Sequence, residues 1–417
     1  MIRRNLLSVL ILPLAVLAAC TAQTGTVMPS LPVVVVPASA SPATPVPSST
    51  AALIPTTTAT PVPTTTETPV PPVLPVVTSP ALVRIDFLDA KNGWGIAVNS
   101  NGCVLRTVDG GSTWLNATPP GIGNIGLSTT LAVLHTNTVW VLVPGTDFFS
   151  GMLYRTGDGG ITWSSNAVPF GAALIQFQNG DYGRALADRG ASAGSEAVEL
   201  FQTSDGGATW TSIFHDDPGL PGSSASLPLA GIKNGMTFID GQTGWVTGFL
   251  PADGDVYLYV THDGGVSWSQ QSVPLQAGYE AYQYLPQAPV FFGKDGFLPL
   301  TVYQPDTTGL IFYTSHDGGL SWTGNPANAD QVIKPGLPAF ADARHIWSWD
   351  GGTSLYTTND STQTWDVTKP TLNLSGNLSQ LEFVPGFTGW ALTRLDDGGR
   401  SHLYRTIDGT IWTPLIP

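Results

Sequence analysis

The chain has 417 residues and a formal net charge of −14, from 30 acidic and 16 basic residues. Because lysine and arginine form no cluster beyond the N-terminal leader, we do not expect nucleic-acid binding through phosphate neutralisation. The six histidines have no metal-ligand spacing, so the sequence predicts neither a metal site nor a cofactor.

Residues 1–20 have the layout of an export signal, with two arginines, an apolar stretch that is short for a membrane span, and small residues before Cys20. The ending Leu-Ala-Ala-Cys resembles the bacterial lipobox, in which the cysteine becomes the acylated N-terminus. We therefore predict lipidation of Cys20 and export to the cell surface or periplasm, where the lipid holds the protein on the membrane. Cys103 then has no intrachain partner, and its apolar-leaning surroundings predict a small buried side chain.

Residues 21–80 are rich in proline, threonine, serine, alanine and valine, and Glu67 is the single charged residue among them. This composition lacks the hydrophobic periodicity of a folded core and favours extended polyproline II. The sequence predicts a disordered tether between the membrane and a globular domain at residues 81–417.

A hairpin motif, T-x-D-G-G-x-[ST]-W, known as the Asp box, repeats through the rest of the chain. Five copies are intact, the copy at 358–365 has lost both glycines, and the copy at 406–412 is one residue short. The seven aspartates are Asp109, Asp158, Asp205, Asp263, Asp317, Asp360 and Asp408, and the seven tryptophans are Trp114, Trp163, Trp210, Trp268, Trp322, Trp365 and Trp412.

A second pattern keeps phase with the first. An apolar anchor is followed seven positions later by a large side chain, in the pairs Phe87/Trp94, Val133/Trp140, Phe177/Arg184, Phe238/Trp245, Val290/Phe297, Phe340/Trp347 and Phe383/Trp390. Two patterns with the same count and a spacing of one four-stranded blade predict an all-β, seven-bladed propeller of antiparallel blades.

The residue types of the Asp box favour a structural role. Paired glycines allow the positive φ of a tight turn, the aspartate accepts hydrogen bonds from the turn, and the tryptophan buries a large ring. An aspartate that recurs in every blade is expected to be scaffold, so no catalytic residue is predicted.

In a propeller, the Asp-box turns share one face with the turns between the first and second strands. The opposite face, here called the loop face, carries the crossovers between blades and the loops between second and third strands. Insertions at 213–228 and 276–287, and the loops 144–151 and 302–306, place aromatic and acidic residues there. Such residues on a rigid scaffold are typical of protein or sugar binding. The candidate binding residues are Phe148, Phe149, Phe214, His215, Asp216, Asp217, Tyr279, Glu280, Tyr282, Tyr284 and Tyr303. We add Arg184, which stands where other blades carry an aromatic side chain, although pairing with Asp181 would also explain it.

The motifs resemble those of bacterial sialidases, sortilin-type receptors, xyloglucan-cleaving tandem propellers and, most closely, the photosystem II stability/assembly factor family. The blade formula of that family matches Phe87, Asp89, Gly93, Trp94, Thr107, Asp109, Gly110, Gly111, Thr113 and Trp114, and again Phe238, Asp240, Gly244, Trp245, Asp263 and Trp268. The resemblance implies a seven-bladed propeller that acts as an assembly factor in photosynthesis. The long tether and the scarcity of arginine depart from that family, so we expect a lipoprotein relative of non-photosynthetic type.

The predicted function is a monomeric, membrane-tethered, non-catalytic scaffold that binds a protein or glycan outside the cytoplasm. The alternative is a sialidase-like or other glycoside hydrolase. A sialidase needs three arginines converging on a carboxylate and a Tyr/Glu pair, and other glycosidases need two carboxylates flanking the bond. Arg106, Arg155 and Arg405 occupy equivalent third-strand positions, which indicates a structural repeat rather than a converging triad. Arg84, Arg184 and Arg344 remain, but Arg344 lies in a turn on the Asp-box face. Tyr279 and Glu280 form a Tyr/Glu pair, although adjacent residues in a loop rarely converge.

Overall fold

The computed structural model describes residues 73–98, 102–123, 125–275, 278–303, 308–324, 336–374 and 376–415. They all belong to the second of two compact units, Pro69–Pro417. The signal peptide, Cys20 and residues 21–72 of the tether lie outside the described residues. Within those residues every regular element is a strand, and none is a helix of the length and hydropathy needed to cross a membrane.

Seven antiparallel sheets, one per repeat, form the blades in chain order. Blade 1 contains β1 (Val76–Val77), β2 (Leu82–Phe87), β3 (Gly93–Ala97), β4 (Cys103–Thr107) and β5 (Trp114–Asn116). Blade 2 contains β6 (Thr130–His135), β7 (Thr138–Pro144), β8 (Gly151–Thr156) and β9 (Ser164–Val168). Blade 3 contains β10 (Ala173–Phe177), β11 (Gly183–Ser192), β12 (Ser195–Thr203) and β13 (Thr211–His215).

The remaining four blades repeat this order. Blade 4 contains β14 (Ile232–Phe238), β15 (Gly244–Phe249), β16 (Tyr257–Thr261) and β17 (Ser269–Gln270). Blade 5 contains β18 (Gln283–Pro286), β19 (Val290–Phe292), β20 (Asp295–Tyr303), β21 (Thr308–Ser315) and β22 (Thr323–Gly324). Blade 6 contains β23 (Leu337–Phe340), β24 (Ile346–Trp349), β25 (Leu355–Thr358) and β26 (Asp366–Thr368). Blade 7 contains β27 (Leu378–Val384), β28 (Thr388–Thr393), β29 (Leu403–Thr406) and β30 (Thr413–Pro414).

The seven-bladed, four-stranded architecture predicted from the repeats is confirmed, with two additions. In blade 1, β1 pairs with β5 at the outer edge, so chain assigned to the tether already takes part in the propeller from Val76. In blade 5 the inner strand is split into β18 and β19, which both pair with β20.

The Asp box forms the hydrogen-bonded turn that its residue types predict. In blade 1 the Thr107 hydroxyl donates to Asp109 Oδ1 at 2.9 Å and accepts the Gly111 N–H at 2.8 Å. Asp109 Oδ1 also accepts the Thr113 N–H at 2.9 Å. The same bonds recur in the degenerate copy of blade 6, where Ser361 and Thr362 adopt positive φ in place of glycines. Tertiary context therefore imposes the turn even without its preferred residues.

The boundaries between blades are here called seams, and four of the seven share one contact. There the large side chain of the second strand lies flat against the anchor of the following blade, rather than against the anchor of its own, whereas at the seam of blades 5 and 6 Phe297 and Phe340 are tilted, with ring centroids 5.9 Å apart. The stacked pairs are Trp140 on Phe177 (3.6 Å between ring centroids), Trp245 on Phe291 (4.8 Å), Trp347 on Phe383 (3.9 Å) and Trp390 on Phe87 (3.7 Å). The anchor of blade 5 is thus Phe291, one residue beyond the Val290 suggested by the spacing.

The glycine before the tryptophan has a packing reason. A Cβ added to Gly93 would lie 2.5 Å from the ring of Phe87, because the anchor of the same blade covers this backbone. In a Gly-Trp pair, the glycine therefore leaves space for the anchor of its own blade, and the tryptophan contacts the anchor of the following blade.

The inner strands are sheet edges, and side chains of the preceding blade cap their free backbone groups. At the seam of blades 3 and 4, Gln176 accepts the Phe238 N–H at 2.7 Å and donates to the Phe238 carbonyl at 3.1 Å. At the seam of blades 7 and 1, Gln380 accepts the Ile85 N–H and Glu382 accepts the Phe87 N–H, both at 2.9 Å. Since blades 1 and 7 each contain only their own strands, side-chain contacts close the ring without strand exchange.

Candidate functional site

The two faces of the propeller are arranged as the sequence predicted. In six blades an N–H of the Asp-box turn donates to a carbonyl of the turn between the first and second strands, as Gly110 does to Lys91 at 2.8 Å. The insertions therefore lie on the loop face, opposite the Asp boxes.

Phe148 and Phe149 are exposed at the tip of the loop between β7 and β8, with 45% and 51% of their surface accessible. The carbonyl of Phe148 accepts the N–H groups of Gly171 and Ala172, which start blade 3. These two phenylalanines are available for contact with a partner.

The insertion at 213–228 contributes less surface than its sequence suggests. Phe214 and Asp216 are each 4% exposed, and Phe214 packs in the core of blades 3 and 4. His215 and Asp217 are half-buried, and Asp217 accepts the Gly219 N–H of its own turn. Phe214 is therefore a core residue rather than a contact residue.

Residues 278–287, the described part of the second insertion, also turn mostly inward. Tyr284 is buried and its hydroxyl donates to the Tyr279 carbonyl, while Tyr279 and Tyr282 are half-buried and pack edge to face. Tyr303 is half-buried against Phe249. Glu280 is exposed and accepts the Gly278 N–H of its own turn.

Arg184 does not belong to the loop face, which corrects its assignment from the sequence. Its guanidinium lies 4.0 Å from the centroid of the Phe238 ring, in the place of the stacked tryptophan of other blades. It donates to the carbonyls of Gly264 and Gly241 and to Gln178 Oε1, all near the Asp-box face, instead of pairing with Asp181.

On the loop face, the central channel opens into a cavity of about 310 Å³, here called the channel mouth. It is lined by Arg84, Leu127, Ser128, Thr129, Thr130, Ala172, Ala173, Leu174, Leu186, Asp188, Glu196, Val198 and Lys233. Leu127 is 69% exposed and Leu174 is 38% exposed, so apolar side chains border the opening. Asp188 and Arg84 are exposed, whereas Glu196 is buried in the wall.

Beneath the mouth lies a buried ion pair. Lys233 Nζ is 3.4 Å from Asp216 Oδ2, both side chains are 1% exposed, and Lys233 also donates to the carbonyls of Glu196 and Leu229. Burial lowers the pKa of Lys233 and raises that of Asp216. Burial also raises the pKa of Glu196 to about 7, although the backbone N–H of Lys233 donates to the carboxylate and partly offsets this rise. Since Asp216 neutralises Lys233, the charges that the mouth presents are those of Asp188, Glu196 and Arg84.

Deeper in the channel, a second cavity of about 280 Å³ is lined by Asp86 and Glu382 together with apolar residues of blades 5, 6 and 7. Burial raises the pKa of both carboxyl groups, the neighbouring Asp86 raises that of Glu382 further, and Arg84 partly offsets both shifts. Asp86 and Glu382 occupy the position before the anchor, which faces the channel in each blade. The anchor pattern marks that position in the sequence, but a spacing of seven residues does not indicate which side chains face the channel.

The arginines do not converge as a sialidase requires. Three of them lie near the tryptophan ring of their own blade: Arg106 near Trp94, Arg155 near Trp140 and Arg405 near Trp390. Arg184 stacks on Phe238 at the seam of blades 3 and 4, and Arg344 donates to the Asn359 carbonyl in blade 6. Arg189 pairs with Glu199 and Arg400 with Asp396. Arg84 lines the channel mouth, and Tyr279 packs on Tyr282.

Comparisons with known proteins identify the fold. No family model matches the chain, and no curated protein matches its sequence. Among solved structures, the fold is similar to YCF48 bound to D1 peptide, with a TM-score of 0.52, 16% identity, and coverage of 80% of this chain and 95% of that one. YCF48 from Cyanidioschyzon merolae also has a TM-score of 0.52, at 19% identity, with coverage of 77% and 95%.

A glycoside hydrolase of the same fold type is also similar. The GH74 enzyme of Niastella koreensis has a TM-score of 0.52 at 14% identity, and the match covers 82% of this chain but 53% of that enzyme. At the level of the fold, these likenesses confirm the suspected resemblance to the photosystem II assembly factor and to hydrolase propellers. The activity therefore has to be argued from the geometry of the site.

The raised pKa of Glu382 makes the seam of blades 7 and 1 sensitive to pH. A carboxyl group whose pKa is higher in the folded chain stabilises the fold most below its unfolded pKa, and that stability falls as the pH rises through the folded pKa. Replacement Glu382→Gln keeps an acceptor for the Phe87 N–H, as Gln176 does for Phe238. We predict that this variant is about 2 kcal/mol more stable than the wild type at pH 8 and equally stable at pH 4.

The measurement is the free energy of unfolding from urea titrations at pH 4, 6 and 8. The control is Glu280→Gln, which removes an exposed carboxylate and should leave the pH profile unchanged. Parallel profiles for the wild type and Glu382→Gln would show that folding does not raise the pKa of Glu382.

Proposed function

We propose that the chain is a non-catalytic scaffold, anchored outside the cytoplasm through an acylated Cys20, that captures a segment of another protein at the channel mouth. The observation that carries the proposal is the composition of this mouth. Apolar side chains at its border surround a cavity with carboxyl groups in its wall, on the face where the blades differ from one another.

Apolar contacts favour a protein segment as the ligand. Leu127, Leu174 and Leu229 are exposed around the mouth, and the Phe148 carbonyl bonds to the residues that start blade 3. Lys233 Nζ donates to the Leu229 carbonyl, so Leu229 lies beside the cavity wall. Exposed apolar side chains beside a concave opening are typical of binding surfaces, where burial of each one contributes about 1–2 kcal/mol.

The charges favour a basic residue in the captured segment. Two carboxyl groups, those of Asp188 and Glu196, line the cavity. Lys233 is paired with Asp216, so among the described residues Arg84 is the one cation of the lining left to balance them. A lysine or arginine of the partner would complete the charge balance of Glu196 and lower its pKa. Electrostatic complementarity of this kind selects the partner and sets the register of binding.

The likeness to YCF48 bound to D1 peptide supports a protein ligand for a propeller of this type. A hydrolase is less well supported, because the arginines lie at separate seams and Glu382 is engaged in closing the ring.

The proposal predicts that a partner touches the mouth and not the Asp-box face. A photoreactive benzoylphenylalanine at Leu127 should give one defined cross-linked adduct in intact cells. The matched control is the same probe at Leu320, which is also 69% exposed but lies in an Asp box. Charge reversal Asp188→Lys should reduce the adduct at least tenfold without lowering the melting temperature. Equal adducts at both positions, or an adduct at Leu320 alone, would contradict the face assignment.

The anchor is tested separately by metabolic labelling with a radioactive fatty acid. Replacement Cys20→Ser removes the thiol that accepts the lipid, so the chain should lose the label. Cys103→Ser is the control, because it leaves the anchor intact. A Cys20→Ser variant that keeps the label would refute lipidation at this residue.

A further inference from the structure

A third cavity, of about 380 Å³, lies at the seam of blades 3 and 4, on the side of the Asp-box turns. The polar and aromatic side chains that line it include those of Gln178, Asn179, Tyr182, Arg184, Gln202 and Asp240. It is distinct from the channel mouth, and we refer to it as the seam pocket. We propose that the seam pocket binds a neutral sugar residue of a glycan.

The seam pocket arises from an exchange of side chains between two neighbouring strands. In blade 2, Trp140 of the second strand pairs in register with Arg155 of the third, whose guanidinium lies 5.4 Å from the indole centroid. Blades 1 and 7 repeat this arrangement, and there the arginine reaches across to a carbonyl of the following blade. The arginine of the third strand therefore fills the outer part of the seam.

In blade 3 the arginine has moved inward. Arg184 takes the place of the tryptophan on Phe238, and its register partner in the third strand is Gln202. Because glutamine is shorter than arginine and the guanidinium now lies deeper, the outer part of the seam is left open. The pocket is thus a consequence of two substitutions relative to blades 1, 2 and 7.

The open space is lined by hydrogen-bonding groups with spare capacity. Gln202 makes no side-chain hydrogen bond within the described part of the chain. Asn179 Oδ1 accepts the N–H groups of Asp181 and Tyr182, which leaves its amide donors for a ligand. Arg184 uses three of its five N–H groups for protein acceptors.

The charge and the aromatic ring of the pocket select the ligand class. Arg184 and Asp240 interact electrostatically and balance each other, so the lining favours neither an anion nor a cation. Tyr182 is 52% exposed and offers its ring at the rim. Amide, guanidinium and carboxylate groups around an exposed aromatic ring match the adjacent hydroxyls and apolar ring face of a sugar. The volume lies within the range of small-ligand sites, about 300–1,000 Å³.

The experiment is isothermal titration of the full mature chain with neutral oligosaccharides, namely cellopentaose, xylopentaose, mannopentaose and chitopentaose. Sialyllactose and oligogalacturonate are the charged comparisons. We expect at least one neutral oligosaccharide to bind with a Kd below about 1 mM, and Tyr182→Ala to weaken that binding at least tenfold. Tyr182 is exposed, so its loss should not prevent folding.

The pocket is tested directly by refilling it. The double variant Arg184→Trp/Gln202→Arg recreates the Trp/Arg pair of blade 2 and should abolish binding. The matched control is Thr357→Arg, which creates the same pair beside Trp347 in blade 6 and should leave binding unchanged. The proposal would be overturned if none of the four neutral oligosaccharides bound, or if only the charged ones did. It would also be overturned by retained binding in the double variant or in Tyr182→Ala, or by loss of binding in the control.

Discussion

The structure depends on the packing of large side chains of the second strands against the anchors of the following blades, which takes the form of stacking at five of the seven seams. Four seams use tryptophan on phenylalanine with ring centroids 3.6–4.8 Å apart, and one seam uses Arg184 on Phe238. Three of the ring pairs are nearly parallel with centroids 3.6–3.9 Å apart, so each covers a whole ring face. The contact joins blades 7 and 1 (3.7 Å, 4°) by the same geometry as blades 2 and 3 (3.6 Å, 5°). The ring therefore closes without a shared blade.

The sequence was sufficient for the scaffold because its information is local and repeated. The Asp boxes and the anchors gave the number of blades, the order of strands and the two faces, and the degenerate copy of blade 6 still adopts the turn at Ser361 and Thr362. The direction of the stacking was beyond the sequence, since a spacing of seven residues does not tell whether two rings meet within a blade or across a seam. The outer strand β1 was also missed, because Val76 and Val77 lie in a proline-rich stretch and are ordered only by pairing with β5.

The candidate site was less predictable, because burial depends on packing that composition does not reveal. Phe148 and Phe149 are exposed as expected, but Phe214 and Tyr284 fill the core beneath the insertions that carry them. Arg184 was singled out correctly as an exception, yet it lies near the face opposite to the one assigned. The residues of the channel, such as Glu196 and Glu382, are isolated in sequence and come together only when the ring closes. The seam pocket lies where the sequence departs from the repeat, at Arg184 and Gln202, and not where exposed aromatic residues cluster.

Closure of the ring by side chains is the claim on which the channel and its mouth rest, and hydrogen exchange measures it directly. The Ile85 and Phe87 N–H groups are bonded to Gln380 and Glu382 of blade 7, as Phe238 N–H is bonded to Gln176 within the chain. In the native full chain these three amides should exchange equally slowly, through unfolding of the whole propeller. Rapid exchange at Ile85 and Phe87 alone would mean that blades 7 and 1 separate in the folded protein, which would contradict the account.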